Sequence, residues 1–429
     1  MTTLSAQNRF TALNYACVSA LWFSLYTQWI ALVVVIVPMH VSDIVGSSRK
    51  ELDTGLVLGL GAWIALIVAP LAGALSDRTR APRGRRRPFL IVGVVGSCVA
   101  LALFLTPAAG TNIWIFAAVF GLWQFFGNWG AGPYAGLIPD VVPENGRATA
   151  SGWMTVMTVL GSGLGVAAAG WFVAAKRYAG ADAFLIVVML GGLGVTLLGV
   201  REPPAQGAAQ PFALGAFMRS FALDPGTNRN FYWVLITRLL ANMGVWSVSE
   251  FFLFYVSEVL GISGSAATTI GSSLIAVGSL VALASAVVGA WLSDRYGRVP
   301  VLRAGGWIMA IASAFFVLIG VAPNLWLLAA TAIVYYIGYG AYQSVDWALA
   351  LDVLPDLKEA GKDMGIWHVA LVLPQIIAPP TTGWLIYVLK TTVSTHVAYT
   401  AAFGLATVWF ALAAALIVRV RVAPPLDPN

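Results

Sequence analysis

Residues 70–89 read PLAGALSDRTRAPRGRRRPF, and the stretch lies between two long apolar runs. Asp77 falls where the first run ends, and six arginines follow it: Arg78, Arg80, Arg83, Arg85, Arg86 and Arg87. A shorter copy, GAWLSDRYGRVPV at 289–301, holds the same place between two later runs. Leu75-Ser76-Asp77-Arg78 recurs as Leu292-Ser293-Asp294-Arg295 at an offset of 217. Outward from these loops, Asp140 and Pro143 in DVVP recur as Asp352 and Pro355 in DVLP at 212, and Gly170-Trp171 recurs as Gly383-Trp384 at 213. Three anchors at nearly constant spacing mark an internal duplication.

The composition places this duplication in a membrane. Only 10% of the 429 residues are charged and 59% are apolar. A soluble chain needs a more charged surface, whereas repeated apolar stretches of 18 or more residues span a bilayer. Twelve spans are predicted at about 12–38, 53–75, 88–107, 112–138, 148–174, 182–200, 230–257, 267–291, 300–322, 325–350, 363–388 and 397–418. The segment 201–229, rich in Pro, Gly and Ala, separates an N-terminal six-helix bundle (1–200) from a C-terminal one (230–429). A short surface helix is expected within that segment at 212–221. The net charge of +6 comes from basic residues in short loops, which argues for membrane topology rather than nucleic-acid binding. With the N-terminus inside, 18 of the 24 Lys and Arg fall on the cytoplasmic side, five on the other, and Arg238 within a span. The positive-inside rule therefore predicts a cell-membrane protein with both termini cytoplasmic. Cys17 and Cys98 lie far apart inside apolar runs, so neither a disulfide framework nor a metal site is indicated, and no cofactor is expected.

The repeated loop, a glycine followed by Leu-Ser-Asp-Arg and a Gly-Arg pair, resembles the signature of the major facilitator superfamily. The longer first copy resembles the loop of its glycoside–cation and sucrose–proton symporter branch. LIPDVVP after the fourth span and LDVLPD after the tenth are in keeping with this. The resemblance implies an all-α membrane protein of twelve transmembrane helices in two pseudo-symmetric bundles, with a cavity walled by spans 1, 4, 7 and 10. It also implies that the loop aspartates gate the cytoplasmic side. Asp77 would face the start of span 11 and Asp294 the start of span 5, with Arg78 beside Asp140 or Glu144 and Arg295 beside Asp352 or Asp356. One departure stands out. The fourth span carries no charge before Asp140, where sucrose–proton symporters are expected to have one.

An ionisable side chain inside a span costs at least about 2.5–3.5 kcal/mol, so each is a functional candidate. There are four, all in the second half: Arg238, Glu250, Asp346 and His368. From a rise of 1.5 Å per residue, Arg238, Asp346 and His368 lie at similar depths, about 9–12 Å to one side of the span centres. An Arg238–Asp346 ion pair with His368 nearby is predicted; a purely structural pair is the competing reading. Glu250 lies about 18 Å along span 7 from Arg238, without a cation in reach, and is the better candidate for proton coupling. For the substrate, Trp22, Tyr26 and Trp29 form a stripe on span 1, with Gln28 on another face. Gln124 and Asn128 sit one turn apart on span 4, Asn242 and Trp246 on span 7, and Tyr339, Gln343 and Trp347 on span 10. Aromatic faces stack on sugar rings while amides and phenols bond hydroxyls, although any single aromatic here is more simply read as helix packing.

Together these residues predict a monomeric, alternating-access transporter that couples a sugar or glycoside to protons. The alternative is a proton-coupled exporter of drugs or metabolites. A membrane-embedded enzyme is disfavoured, because the outer loops offer little beyond Asp43, Glu51, Asp53 and Asp182.

Overall fold

The computed structural model describes residues 10–82, 84–143, 146–202, 229–353 and 360–420, with the side chains of 148, 351–352 and 360–368 left out. The expected surface helix at 212–221 and residues Glu144 and Asp356 lie outside the described residues. The helices are α1 (Ala12–Val45), α2 (Lys50–Arg78), α3 (Arg87–Phe104), α4 (Ile113–Ala135), α5 (Arg147–Ala174), α6 (Tyr178–Gly199), α7 (Arg229–Ser249), α8 (Ser265–Tyr296), α9 (Arg298–Val321), α10 (Leu325–Asp352), α11 (Ala360–Thr392) and α12 (Thr395–Leu416). Eleven are both long and apolar enough to cross a membrane. The twelfth, α4, has 23 residues, and its Gln124, Asn128 and aromatic residues lower its hydropathy without shortening it.

Side-chain caps start several helices where the sequence leaves a polar residue between apolar runs. Asn112 accepts from the Trp114 and Ile115 amides, Asn324 from Leu327 and Ser394 from Val397. In both basic loops a glycine makes the turn. Gly84 has φ 118° and Gly297 φ 90°, values that L side chains avoid.

Within the first half, α1 packs on α5 and α6, α2 on α4, and α3 on α4 and α6. In the second half α7 packs on α11 and α12, α8 on α10, and α9 on α10 and α12. Small residues set the spacing. A Cβ on Gly161 would lie 2.3 Å from the Phe23 carbonyl oxygen and one on Gly165 2.2 Å from that of Thr27, so α5 approaches α1 backbone to backbone. Among the described residues, extensive contact between the halves runs along two seams, α2 with α11 and α5 with α8. These pairs are counterparts under the duplication.

Two helices depart from regularity at matching positions. In α1, Ala31–Ile36 forms a wider π turn just before Pro38, which has no N–H to give the Val34 carbonyl. At the 217-residue offset, 248–253, α7 stops at Ser249 and resumes as Phe252–Leu260. The predicted continuous span 7 is thus interrupted at Glu250 and Phe251. Interruptions of this kind commonly mark binding helices in transporters.

Candidate functional site

The predicted Arg238–Asp346 ion pair forms, and both side chains are only 4% exposed. It joins the middle of α7 to α10. The Tyr342 hydroxyl lies 3.5 Å from the Thr237 carbonyl, and Asn242 donates to the Arg238 carbonyl at 2.9 Å. Tyr339 and Tyr342 lie within electrostatic reach of the guanidinium. One turn on, Gln343 donates to the Tyr339 hydroxyl at 3.1 Å. Tyr339 also reaches across the halves, lying within electrostatic range of Tyr26 on α1. Tyr26 packs in turn against Trp22, tilted, and edge-on against Trp29, at ring-centroid distances of 6.2 and 5.6 Å. Four of the predicted substrate residues (Tyr26, Trp22, Trp29, Tyr339) and the ion pair therefore form one continuous array, with Gln343 at its edge.

The remaining residues are distributed around it. On α4, Asn128 donates to Gln124 at both its carbonyl, 2.8 Å, and its side-chain oxygen, 3.2 Å. Trp246 is half-buried on α7, and Trp347 is half-exposed on α10. Gln28 stands apart. It shares a helix face with Ser24, whose hydroxyl donates to the Val188 carbonyl of α6, so this face of α1 packs outward onto α6. The indole N–H groups of Trp22 and Trp246 are buried without an acceptor, as is the Gln28 amide nitrogen. Buried polar atoms are nearly always bonded, and unpaired donors beside an aromatic array suit a ligand or water rich in oxygen acceptors.

Glu250 sits in the interruption of α7, 2% exposed, with its Oε2 buried and unpartnered. The neighbouring Thr382 of α11 donates to Ser247 at 2.9 Å. His368 belongs to the side chains that are not described.

At the end carrying the basic loops, the geometry differs from the expected gate. Asp77 binds Arg86 at 2.6 Å and Arg85 at 3.8 Å. Asp140 accepts from the same two arginines, at 2.5 and 2.9 Å, rather than from Arg78, which donates to the Ala74 carbonyl. Arg86 is nearly buried; it also donates to Ser76 at 2.6 Å, and its backbone amide donates to Glu202 at 2.8 Å. The hydrogen bond to Asp140 holds the Arg85 guanidinium above its usual pKa. Burial pushes the Glu202 carboxyl up against the opposing Arg86 and Arg87 amides. Apart from Glu202, which opens the segment between the halves, all of these contacts stay within the first half. In the second loop Asp294, 79% exposed, has Arg298 at 3.8 Å as its ion-pair partner among the described residues, and Arg295 lies over Trp291 and Tyr296. The Asp352 side chain is not among those described.

Sequence reasoning missed the cluster at the opposite end. Lys50 pairs with Glu258 beyond the α7 interruption, and Lys390 of α11 binds Glu51 at 2.9 Å and Glu258 at 3.6 Å. Tyr399 of α12 donates to Glu51 at 2.8 Å. From the sequence, Lys50, Glu51 and Lys390 read as outer-loop charges, and Glu258 and Tyr399 carry no expectation. Asp182, also counted there, is 1% exposed on α6, and neither carboxylate oxygen has a partner.

Twelve apolar helices in two pseudo-symmetric sets, with a buried ion pair in the second set and an aromatic array that reaches from one set to the other, define a multi-pass membrane transporter. The chain belongs to the Major Facilitator Superfamily, whose family model matches residues 17–355 and 264–429. It is 30% identical over 308 residues to the class C tetracycline resistance protein of Escherichia coli, covering 70% of this chain and 71% of that one. It is also 30% identical over 132 residues to a sucrose transport protein of Arabidopsis thaliana, a match spanning 26% of each chain. Its fold is similar to that of a bacterial homologue of the human lysosomal transporter Spinster, solved inward-facing and unoccupied. The TM-score is 0.71 at 14% identity, over 96% of this chain and 99% of that one.

Proposed function

We propose that this protein is a proton-coupled symporter of a sugar or glycoside working by alternating access, with its substrate bound against the Trp22–Tyr26–Trp29 and Tyr339–Gln343 array. The observation that carries this reading is the Trp22–Tyr26–Trp29 aromatic array, with ring centroids 6.2 and 5.6 Å apart, in which the buried Trp22 indole N–H has no acceptor among the described residues. Sugar rings offer both apolar faces and many oxygen acceptors, which is the chemistry that such a wall would recognise. Gln124, Asn128, Asn242 and Trp347 complete the proposed wall, and Gln28 acts through the packing of α1. Glu250 is the proposed proton carrier, since its unpartnered oxygen is in place to accept one. Arg238, Asp346 and His368 couple substrate binding to that step. In this reading the protein sits in the cell membrane with its basic end and both termini cytoplasmic, the monomer is the working unit, and 201–229 links the domains 1–200 and 230–429. Asp77, Arg78, Asp140, Asp294, Arg295 and Asp352 then serve the cytoplasmic gate, exchanging partners when that side closes.

A membrane potential of about 150 mV supplies about 3.5 kcal/mol per proton, enough for roughly 300-fold accumulation. Proteoliposomes with an inward proton gradient should concentrate labelled sucrose, and Glu250→Gln should abolish accumulation while leaving sucrose exchange. Sucrose uptake indifferent to the gradient would remove the coupling claim. The second reading is a proton-driven exporter, favoured by the length of the match to the tetracycline resistance protein. Proton-dependent tetracycline movement in the same vesicles, with no sucrose uptake, would select it.

A further inference from the structure

At the basic end, α7 and α12 enclose a cavity that the proposed transport path does not use. It has a volume of about 370 Å³ and is lined by Arg229, Asn230 and Trp233 from the start of α7 and by Val418 and Arg419 from the short turn Ile417–Arg419 that ends α12. The Arg419 guanidinium lies 4.5 Å from the centre of the Trp233 ring, which holds this cation over its face. Arg229 and Arg419 are both exposed, and among the described residues no carboxylate pairs with either. A third guanidinium flanks the same helix end. Gly306 of α9 meets α12 at Ala414, where a Cβ would lie 2.9 Å away, and Arg303, also exposed, is one turn nearer the basic end.

Toward the membrane interior, the two helices continue this cavity as apolar stripes. On α7, Arg229, Trp233, Ile236 and Leu240 share one face by their helical spacing. On α12, Leu412 and Val408 lie two and three turns before Arg419. Ile236, Leu412 and Val408 are exposed, and α7 packs directly on α12. Arginines at the membrane edge, with exposed aliphatic side chains beneath them on the same two helices, make an amphipathic slot.

We propose that this slot binds an anionic phospholipid, with the headgroup phosphate between Arg229 and Arg419 and an acyl chain along Ile236 and Leu412. The proposal takes the basic end as cytoplasmic and rests on nothing about the transported substrate. A phosphodiester offers two anionic oxygens, which guanidinium groups match with paired N–H donors. The Trp233 ring sets the boundary between apolar and polar layers at headgroup level, where indoles concentrate in membrane proteins. Charge selects among lipids. The arginines meet the negative charge of a headgroup such as phosphatidylglycerol, whereas the ammonium of a zwitterionic headgroup finds no carboxylate among the lining residues. The apolar stripes select lipid over free phosphate, since a free anion would use the arginines alone. Bound there, the lipid ties the first helix of the second half to its last.

The test titrates the purified full chain in detergent with dioleoylphosphatidylglycerol and follows the tightest lipid site by native mass spectrometry. Losing one arginine should weaken that site about fivefold, and Arg229→Gln/Arg419→Gln about thirtyfold. Arg229→Lys/Arg419→Lys keeps both charges and should restore most of the affinity. Arg80→Gln/Arg147→Gln removes the same charge from exposed positions at the basic end of the first half and should leave the site unchanged. Dioleoylphosphatidylcholine should bind more weakly, and glycerol 1-phosphate, a headgroup phosphate without acyl chains, should not displace the lipid. Equal losses from the two glutamine double variants would reduce the interaction to the general positive field of this end and overturn the proposal. Displacement by glycerol 1-phosphate, or inorganic phosphate bound as tightly as the lipid, would overturn it in favour of a free anion. Neither failure touches the transport reading, because every arm measures binding and none measures uptake.

Discussion

Two ion-pair clusters sit at opposite ends of the molecule and are built from similar parts, but they connect different things. The basic-end cluster joins Arg85 and Arg86 to Asp77 and Asp140, all in the first half, and to Glu202 at the start of the segment that follows it. The far-end cluster joins Lys50 and Glu51 to Glu258, Lys390 and Tyr399, across the halves. A cluster inside one rigid unit braces it and persists through any motion between units. A cluster across the seam must break when the seam opens, so its charges are in place to bias a conformational equilibrium. The structure therefore shows the far end sealed by charge, while Asp77 and Asp294 at the basic end hold partners on their own half.

The largest effect should come from cutting the brace. Arg86→Ala removes the buried member of the cluster and leaves Asp77 and Asp140 to Arg85 alone, which should cost about 1.5–3 kcal/mol of stability, read as a lowered melting temperature. Lys390→Ala should lower it far less, because water replaces the lost partner once the far end opens. Equal losses from the two substitutions would break the distinction drawn between brace and seal. Next in size is a steric test of the seams. Gly383→Val, placed against the Glu51 backbone, should prevent far-end closure and abolish accumulation of substrate in proteoliposomes. Its duplicate Gly170→Val meets the Ser272 Cβ at 2.4 Å, an atom that no rotamer change moves, so it should likewise force α5 away from α8 and lower the transport rate. The smallest effect belongs to Asp294→Asn. Its exposed contact with Arg298 is of a kind worth little, and the melting temperature should move by less than the scatter between replicates.

The same contrast explains what could be read without coordinates. The twelve spans were legible because hydropathy is a local property, and the ends of α2, α3, α5, α8 and α10 fall within a few residues of their expected places. The Arg238–Asp346 pair was legible because two charges at equal depth in apolar spans have few alternatives to each other. Lys50, Glu51 and Lys390 were not legible. Each lies at a helix mouth, where water is the default partner, and its burial comes from a helix more than 200 residues away in the chain. The role of Arg86 was hidden among six arginines of equal standing. The interruption at Glu250 was masked because Phe251, Phe252 and Leu253 continue the apolar run.

By itself, the sequence determined that this chain is a duplicated bundle of twelve membrane helices with buried charge in its second half. The bilayer imposes that outcome, since an apolar run of such length can satisfy its backbone only as a spanning helix. The tertiary structure alone decided which charges meet. Whether Glu51 is a solvated loop residue or a buried carboxylate held by Lys390 and Tyr399 depends on how closely Gly383 lets α11 approach α2, and no local pattern of residues encodes that distance.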